Sequence, residues 1–163
     1  MRSPRVSLAG YANAVLDENG VVIPYAPFYS NRGLPEVVLE DFEEGGSWGQ
    51  TVSGESYQCA TDVLRAAEPM CLQMNLTLKK IDVSRIKASS AGQREIIMVV
   101  QDDKKTAKIN VFYLRLAVDS YEKNLENFLT LRDHLHQNEY QFPSPQMIVD
   151  LRVPQLAFLS AVY

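Results

Sequence analysis

The sequence has two cysteines and two histidines in 163 residues. Cys59 and Cys71 are too few for a disulfide framework, and their separation matches no zinc-ligand spacing. Both read as small interior hydrophobes, with a bridge between them left open. His134 and His136 lie two apart in a helical pattern, so they point to different faces and make a poor metal pair. Long apolar runs are missing too. No stretch approaches the ~18 to 20 residues that a membrane-spanning helix needs, and Met1-Arg-Ser-Pro-Arg5 lacks the apolar core of a signal peptide. The chain as given is expected to be a soluble piece. A basic block is also absent. The formal charge of −4, with both signs scattered, argues against a nucleic-acid partner.

Catalytic signatures are missing as well. The sequence has no G-x-S-x-G elbow, no H-E-x-x-H, and no Walker or Rossmann glycine pattern. Glu43-Glu-Gly-Gly-Ser-Trp-Gly-Gln50 is glycine-rich but lacks the lysine of a phosphate cradle. It reads as a loop with Trp48 as its anchor. Asp102 and Asp103 fall in a predicted turn, where solvation is the default role. The expectation is a protein without catalytic, cofactor or metal residues.

What is present is enough for one core, since 46% of the residues are hydrophobic and 22% charged. Arg2 to Leu8 reads as a strand. Ala14 to Ile23 places two apolar triplets around Asp17-Glu-Asn-Gly20, a strong hairpin signal because Asn-Gly tolerates positive φ. Pro24, Pro27 and Leu34-Pro35 follow. A first helix is expected over Ser56 to Glu68, with Tyr57, Ala60, Leu64 and Ala67 at helical spacing, Ser53 or Ser56 as cap and Pro69 as stop.

Leu72, Met74, Leu76 and Leu78 alternate like a half-buried strand. The apolar parity then shifts to Ile81 and Val83, which calls for a bulge or a strand break. Asn75-Leu-Thr77 matches a glycosylation sequon and is read as chance. Glu95 to Val100 and Thr106 to Leu116 form a second hairpin. A second helix follows, capped by Asp119 or Ser120. Tyr121, Leu125, Phe128 and Leu135 form its apolar stripe, Glu122, Lys123, Glu126 and Arg132 its wet face, and it ends near Asn138. The order predicts an α+β fold, a mainly antiparallel sheet with two helices packed on it.

The chain closes with Gln146 to Val153, Pro154, and a charge-free run from Gln155 to Tyr163. Met147, Val149 and Leu151 alternate with Ile148, Asp150 and Arg152, while Pro154 belongs at an edge or break. Two terminal strands are expected. The last offers unpaired backbone groups for strand addition.

Ile148-Val-Asp-Leu-Arg-Val-Pro154 resembles the "VDLRY" strand of the periplasmic β domain of the bacterial cell-division proteins FtsQ and DivIB. Arg2 to Leu8 is similar to the family's "ER-x-P-V-A" segment, Ala14 to Ile23 to its "L-V-D-x-x-G-x-V-F" hairpin, and Leu34-Pro35 to its "LP" step. The resemblance covers about residues 2 to 162. It implies that residues 1–10 end a preceding POTRA-type domain and that 11–163 are an FtsQ-type β domain. It also implies a parent anchored in the inner membrane, a periplasmic location and a non-catalytic scaffold role in septation. The implied partners are FtsB- and FtsL-type division proteins and other divisome components. The implied contact residues are Arg152, Val153, Gln155, Leu156, Ala157, Phe158, Leu159 and Ser160. Val153 stands where the family has an aromatic, and Gln155-Leu156 where it has a glycine turn. An envelope adaptor of another system and a small hydrolase are the alternative readings.

Overall fold

A computed structural model describes residues 3–11, 13–24, 33–40, 48–104, 107–138, 141 and 143–163. Its strands are β1 (Pro4–Leu8), β2 (Ala14–Asp17), β3 (Val22–Pro24), β4 (Glu36–Val38), β5 (Leu76–Asp82), β6 (Ile96–Asp102), β7 (Val111–Leu116), β8 (Gln146–Asp150) and β9 (Phe158–Ala161). The helices are α1 (Glu55–Met74) and α2 (Tyr121–Gln137). All nine strands form one sheet in the order β3-β2-β1-β4-β5-β6-β7-β8-β9.

Among the described residues the fold is α+β, with two α-helices and a sheet that is mainly antiparallel, as the sequence predicts, but not purely so. β1 with β4, β4 with β5, and β7 with β8 are parallel, and the other neighbouring pairs are antiparallel. Two parallel pairs follow from the helices: α1 carries the chain from β4 to β5, and α2 carries it from β7 to β8. A strand that returns through a helix enters parallel to its predecessor. Glu36–Val38, for which the sequence predicts no strand, is a central strand between β1 and β5. Three residues are too short to leave a periodic signal.

The first hairpin forms as its sequence predicts. Leu16 pairs with Val22, and the Asp17 carboxylate accepts the N–H groups of Asn19 and Val21 at 2.9 Å each. Gly20 has φ of 73°, and the end of the Tyr57 ring lies where a Cβ would sit, so a side chain there would be strained and would have to displace Tyr57. In β5 the register shifts between Leu78 and Lys80, the bulge that the parity change demanded, and Ile81 returns to the core fully buried.

Helix α1 departs from expectation at both ends. Its N-cap is Gly54, with no side-chain bond, while Ser56 is buried. Pro69 does not stop it. That proline lies on an exposed face, where water can solvate the carbonyl it leaves unbonded, and buried Ala67 and Cys71 hold the helix down on either side. Leu72 and Met74 are therefore helical, not strand, and Leu72 is exposed. Asn75, at φ of 54°, ends the helix and turns directly into β5. Both cysteines are free: burial, with Asp62 and Glu55 nearby, pushes the Cys59 thiol up to about 11, and burial with Glu68 does the same for Cys71. Trp48, read as the anchor of its loop, is 59% exposed, while Pro27 and Glu43 to Ser47 lie outside the described residues.

One core lies between the helices and one face of the sheet. Ile96, Met98, Val100, Phe112, Leu114, Leu116, Met147 and Val149 meet Val63, Ala67, Leu125 and Phe128 there. Phe112 and Phe128 pack edge to face with centroids 5.2 Å apart.

Arg132 corrects the sequence reading, because it sits on the apolar stripe of α2 and not on its wet face. It is 7% exposed and clamps Asp102 with two bonds, Nε to Oδ2 at 2.6 Å and Nη2 to Oδ1 at 2.9 Å. His136 Nε2 lies 2.7 Å from the same carboxylate, and the Lys104 N–H donates to it at 3.0 Å. Asp102 is thus a buried fastener between β6 and α2, not a solvated turn residue. Burial raises its carboxyl pKa, but the bonds from Arg132 and His136 outweigh that and hold it below the ordinary value.

A lowered carboxyl pKa contributes stability that is present above the unfolded-state value and lost as pH falls through the folded one. Acid should therefore weaken the fold progressively below pH ~4. Asp102→Asn strands the Arg132 charge and should cost about 3 kcal/mol at pH 7, read as a shift of the urea midpoint.

Candidate partner-binding edge

β8 runs beside β7 through the core, with Met147, Val149 and Leu151 buried. The chain then turns at Val153-Pro-Gln-Leu156, closed by the Leu156 N–H donating to the Val153 carbonyl at 3.2 Å. Pro154 supplies the fixed φ of the second turn position, and Gln155 takes φ of 63° at the third. This is the arrangement of a type II turn, where glycine is the usual occupant. A glutamine therefore stands in the strained position of this turn.

β9 returns antiparallel to β8, with Ile148 opposite Ser160 and Asp150 opposite Phe158. The Val162 N–H donates to the Gln146 carbonyl at 3.0 Å, which fixes the alternation of the ladder. Phe158, Ser160 and Val162 direct their backbone groups inward to β8. Ala157, Leu159 and Ala161 direct theirs outward, where the sheet order ends. Leu159 and Ala161 share the helix face with Val149 and Met147. Phe158 and Ser160 point to the opposite face.

All eight residues expected to form the contact surface lie on this one hairpin. Arg152 follows β8, Val153 to Ala157 make the turn, and Phe158 to Ser160 make the strand. Large apolar side chains are exposed along it: Val153 44%, Leu156 56%, Phe158 56%, Leu159 36% and Tyr163 99%. Trp48 and Leu72 are the other large apolar residues so exposed among those described.

Arg152 differs in role from its neighbours. Its Nε and Nη2 donate to the Asp150 carboxylate at 3.0 and 2.8 Å, and Nη1 donates to the Gly92 carbonyl at 2.8 Å. Arg115 ties Asp150 at 3.1 Å to Glu95 at 2.6 Å, and Glu95 is 2% exposed. Burial pushes the Asp150 carboxyl pKa up, but the bonds from the Arg152 side chain and N–H, with Arg115 behind them, bring it below its ordinary value. Arg152 therefore braces the start of the turn instead of offering a loose charge. Sequence reasoning missed Glu95, Arg115 and Asp150 as its supports. Asp150 lies two residues before Arg152, but Glu95 and Arg115 are far away along the chain and reach it only through strand register.

Beside the turn a groove of about 380 Å³ opens against α2, with Leu131, Leu151 and Leu156 in its lining and Lys123 and Asn127 beside them. It adjoins the outward row of β9. A second groove, about 160 Å³, lies between α1 and β1 and is bordered by the Arg5–Glu68 ion pair. Among the described residues, no group of three or more histidine, cysteine or acidic side chains is placed to hold a metal. No helix among them is long and apolar enough to cross a membrane. Neither a family model nor a curated protein matches the chain.

The strained turn gives a direct check. Gln155→Gly should leave stability unchanged or raise it by up to about 1 kcal/mol, because left-handed φ costs a side-chain-bearing residue about that much. Gln155→Val should lower it by about 1 kcal/mol, a fall of roughly 2–4 °C in Tm.

Proposed function

We propose that this chain is a non-catalytic scaffold domain of the FtsQ/DivIB type, which binds FtsB- and FtsL-type division proteins by adding a partner strand to β9. The domain then works in the periplasm, as part of a parent anchored in the inner membrane, during septal wall synthesis. One observation carries the reading: the outward row of backbone groups at Ala157, Leu159 and Ala161, set among exposed apolar side chains. Such an edge gives a partner affinity through main-chain bonds and specificity through alternate side chains. The resembling motifs, in the order in which they occur, supply the partner's identity. Phe158 is the anchor best placed on the edge, and interfaces of this kind concentrate their energy in a few such side chains.

A second reading is an envelope adaptor of another system with the same edge. The departures from the division-protein pattern at Val153 and at the Gln155-Leu156 turn support it. On this reading the edge would be used in the same way by a different extended peptide.

Calorimetric titration with the same organism's FtsB periplasmic segment, alone and joined to FtsL, separates the two. Binding by the wild-type chain should fall at least tenfold in Phe158→Asp. It should fall comparably in Ala161→Pro, which removes an outward donor and leaves the ladder to β8 intact. Circular dichroism should show both variants folded. A folded wild-type chain that binds neither form of the segment rejects the division-protein reading in favour of the adaptor.

A further inference from the structure

Natural sheets protect exposed edge strands with charge, proline or bulges. At the far side of this sheet β3 is three residues long and ends in Pro24. β9 has no such protection. No charged side chain and no proline occurs from Gln155 to Tyr163, and its register with β8 runs without a shift. The edge is also self-complementary. We propose that β9 pairs antiparallel with β9 of a second copy of this chain, about a two-fold axis at Ser160. This inference stands on the edge itself and not on the division-protein reading.

The axis position follows from side-chain size. With the two-fold at Ser160, Leu159 faces Ala161 of the other copy, Ala157 faces Tyr163, and Phe158 faces Val162. Every pair sets a large residue against a smaller one on the same face of the sheet. Moving the axis to Leu159 sets two leucines against each other and brings Gln155, held at φ of 63° in the turn, into the ladder. Moving it to Ala161 sets Leu159 against Tyr163. The Ser160 axis also lets the outward backbone groups of Leu159 and Ala161 bond reciprocally across the axis.

A single strand pair buries less than the ~1,200 Å² of a stable complex, so the dimer is weak and exchanging. It also occupies the edge that an added partner strand would use, which makes self-pairing and partner binding mutually exclusive.

Register-specific crosslinking tests the proposal. Even-numbered residues of β9 form the non-hydrogen-bonded pairs of the new ladder, whose Cα atoms lie about 4.5 Å apart, within disulfide reach. Ser160 would face its own copy. Ser160→Cys, Phe158→Cys and Val162→Cys are each made in the full chain with Cys59 and Cys71 retained. They are oxidised with diamide, which takes two hydrogens from a thiol pair, and read on non-reducing gels against the unmodified chain. Ser160→Cys should give dimer at least tenfold faster than either flanking variant alone. An equal mixture of Phe158→Cys and Val162→Cys should crosslink faster than either component. Adding Ala161→Pro to Ser160→Cys should abolish the effect. Equal rates at all three positions, or no dimer above the unmodified chain at millimolar protein, would overturn the proposal.

Discussion

The direction of two helical crossovers constrains everything else in this molecule. β4 and β7 point the same way, and in each case the chain returns one place further along the same sheet direction. Crossovers of one hand then put both helices on one face. The core forms on that face, and Asp102 with Arg132 fastens α2 to it where an apolar pair would otherwise stand. A buried ion pair adds little net stability over an apolar replacement, but it penalises any other placement of the helix because either charge alone is costly. Among the described residues, the sheet's opposite face and its last strand receive no cover from α1 or α2.

That asymmetry leaves the C-terminal hairpin as the candidate edge. β8 is held on both sides, by β7 and β9, and its inward residues are as buried as any in the core. β9 has one neighbour. Its position is set by the ladder to β8, by the turn at Pro154 and Gln155, and by the Arg152, Asp150, Arg115 and Glu95 contacts at the turn's entry. An added strand meets a template that is already ordered, so less ordering entropy opposes binding than for two flexible peptides. The polar web thus sets the position of the turn from which β9 starts.

How much of this was legible depended on whether the signal was local. The Asp17 to Gly20 turn was readable because φ requirements belong to single residues. The bulge after Leu78 was readable because side-chain parity belongs to neighbours. The terminal hairpin, and with it the whole candidate surface, was readable for both reasons. Pro69 was misread because a proline's local cost was outweighed by burial on either side, a tertiary effect. The strand Glu36–Val38 was missed for want of length, and the parallel pairs because periodicity is blind to strand direction. Arg132 occupies the stripe position between Phe128 and Leu135 by spacing alone. Its charge masked that spacing, and its partner Asp102 lies thirty residues earlier on another element.

The outward row of β9 shows a further limit of pattern reading. Alternation in sequence identifies which side chains share a face, but not which backbone groups point away from the sheet. That assignment came from one bond, Val162 to Gln146, and it divides the strand into residues that hold the fold and residues that can hold a partner. Side-chain face and backbone direction alternate together along a strand. Leu159 and Ala161 therefore combine outward amides with side chains on the helix face, beside the groove at α2, while Phe158 combines inward amides with a side chain on the open face. A strand added at this edge would meet the first set through its backbone and the second through its side chains, which would put affinity and specificity on alternate residues of one strand.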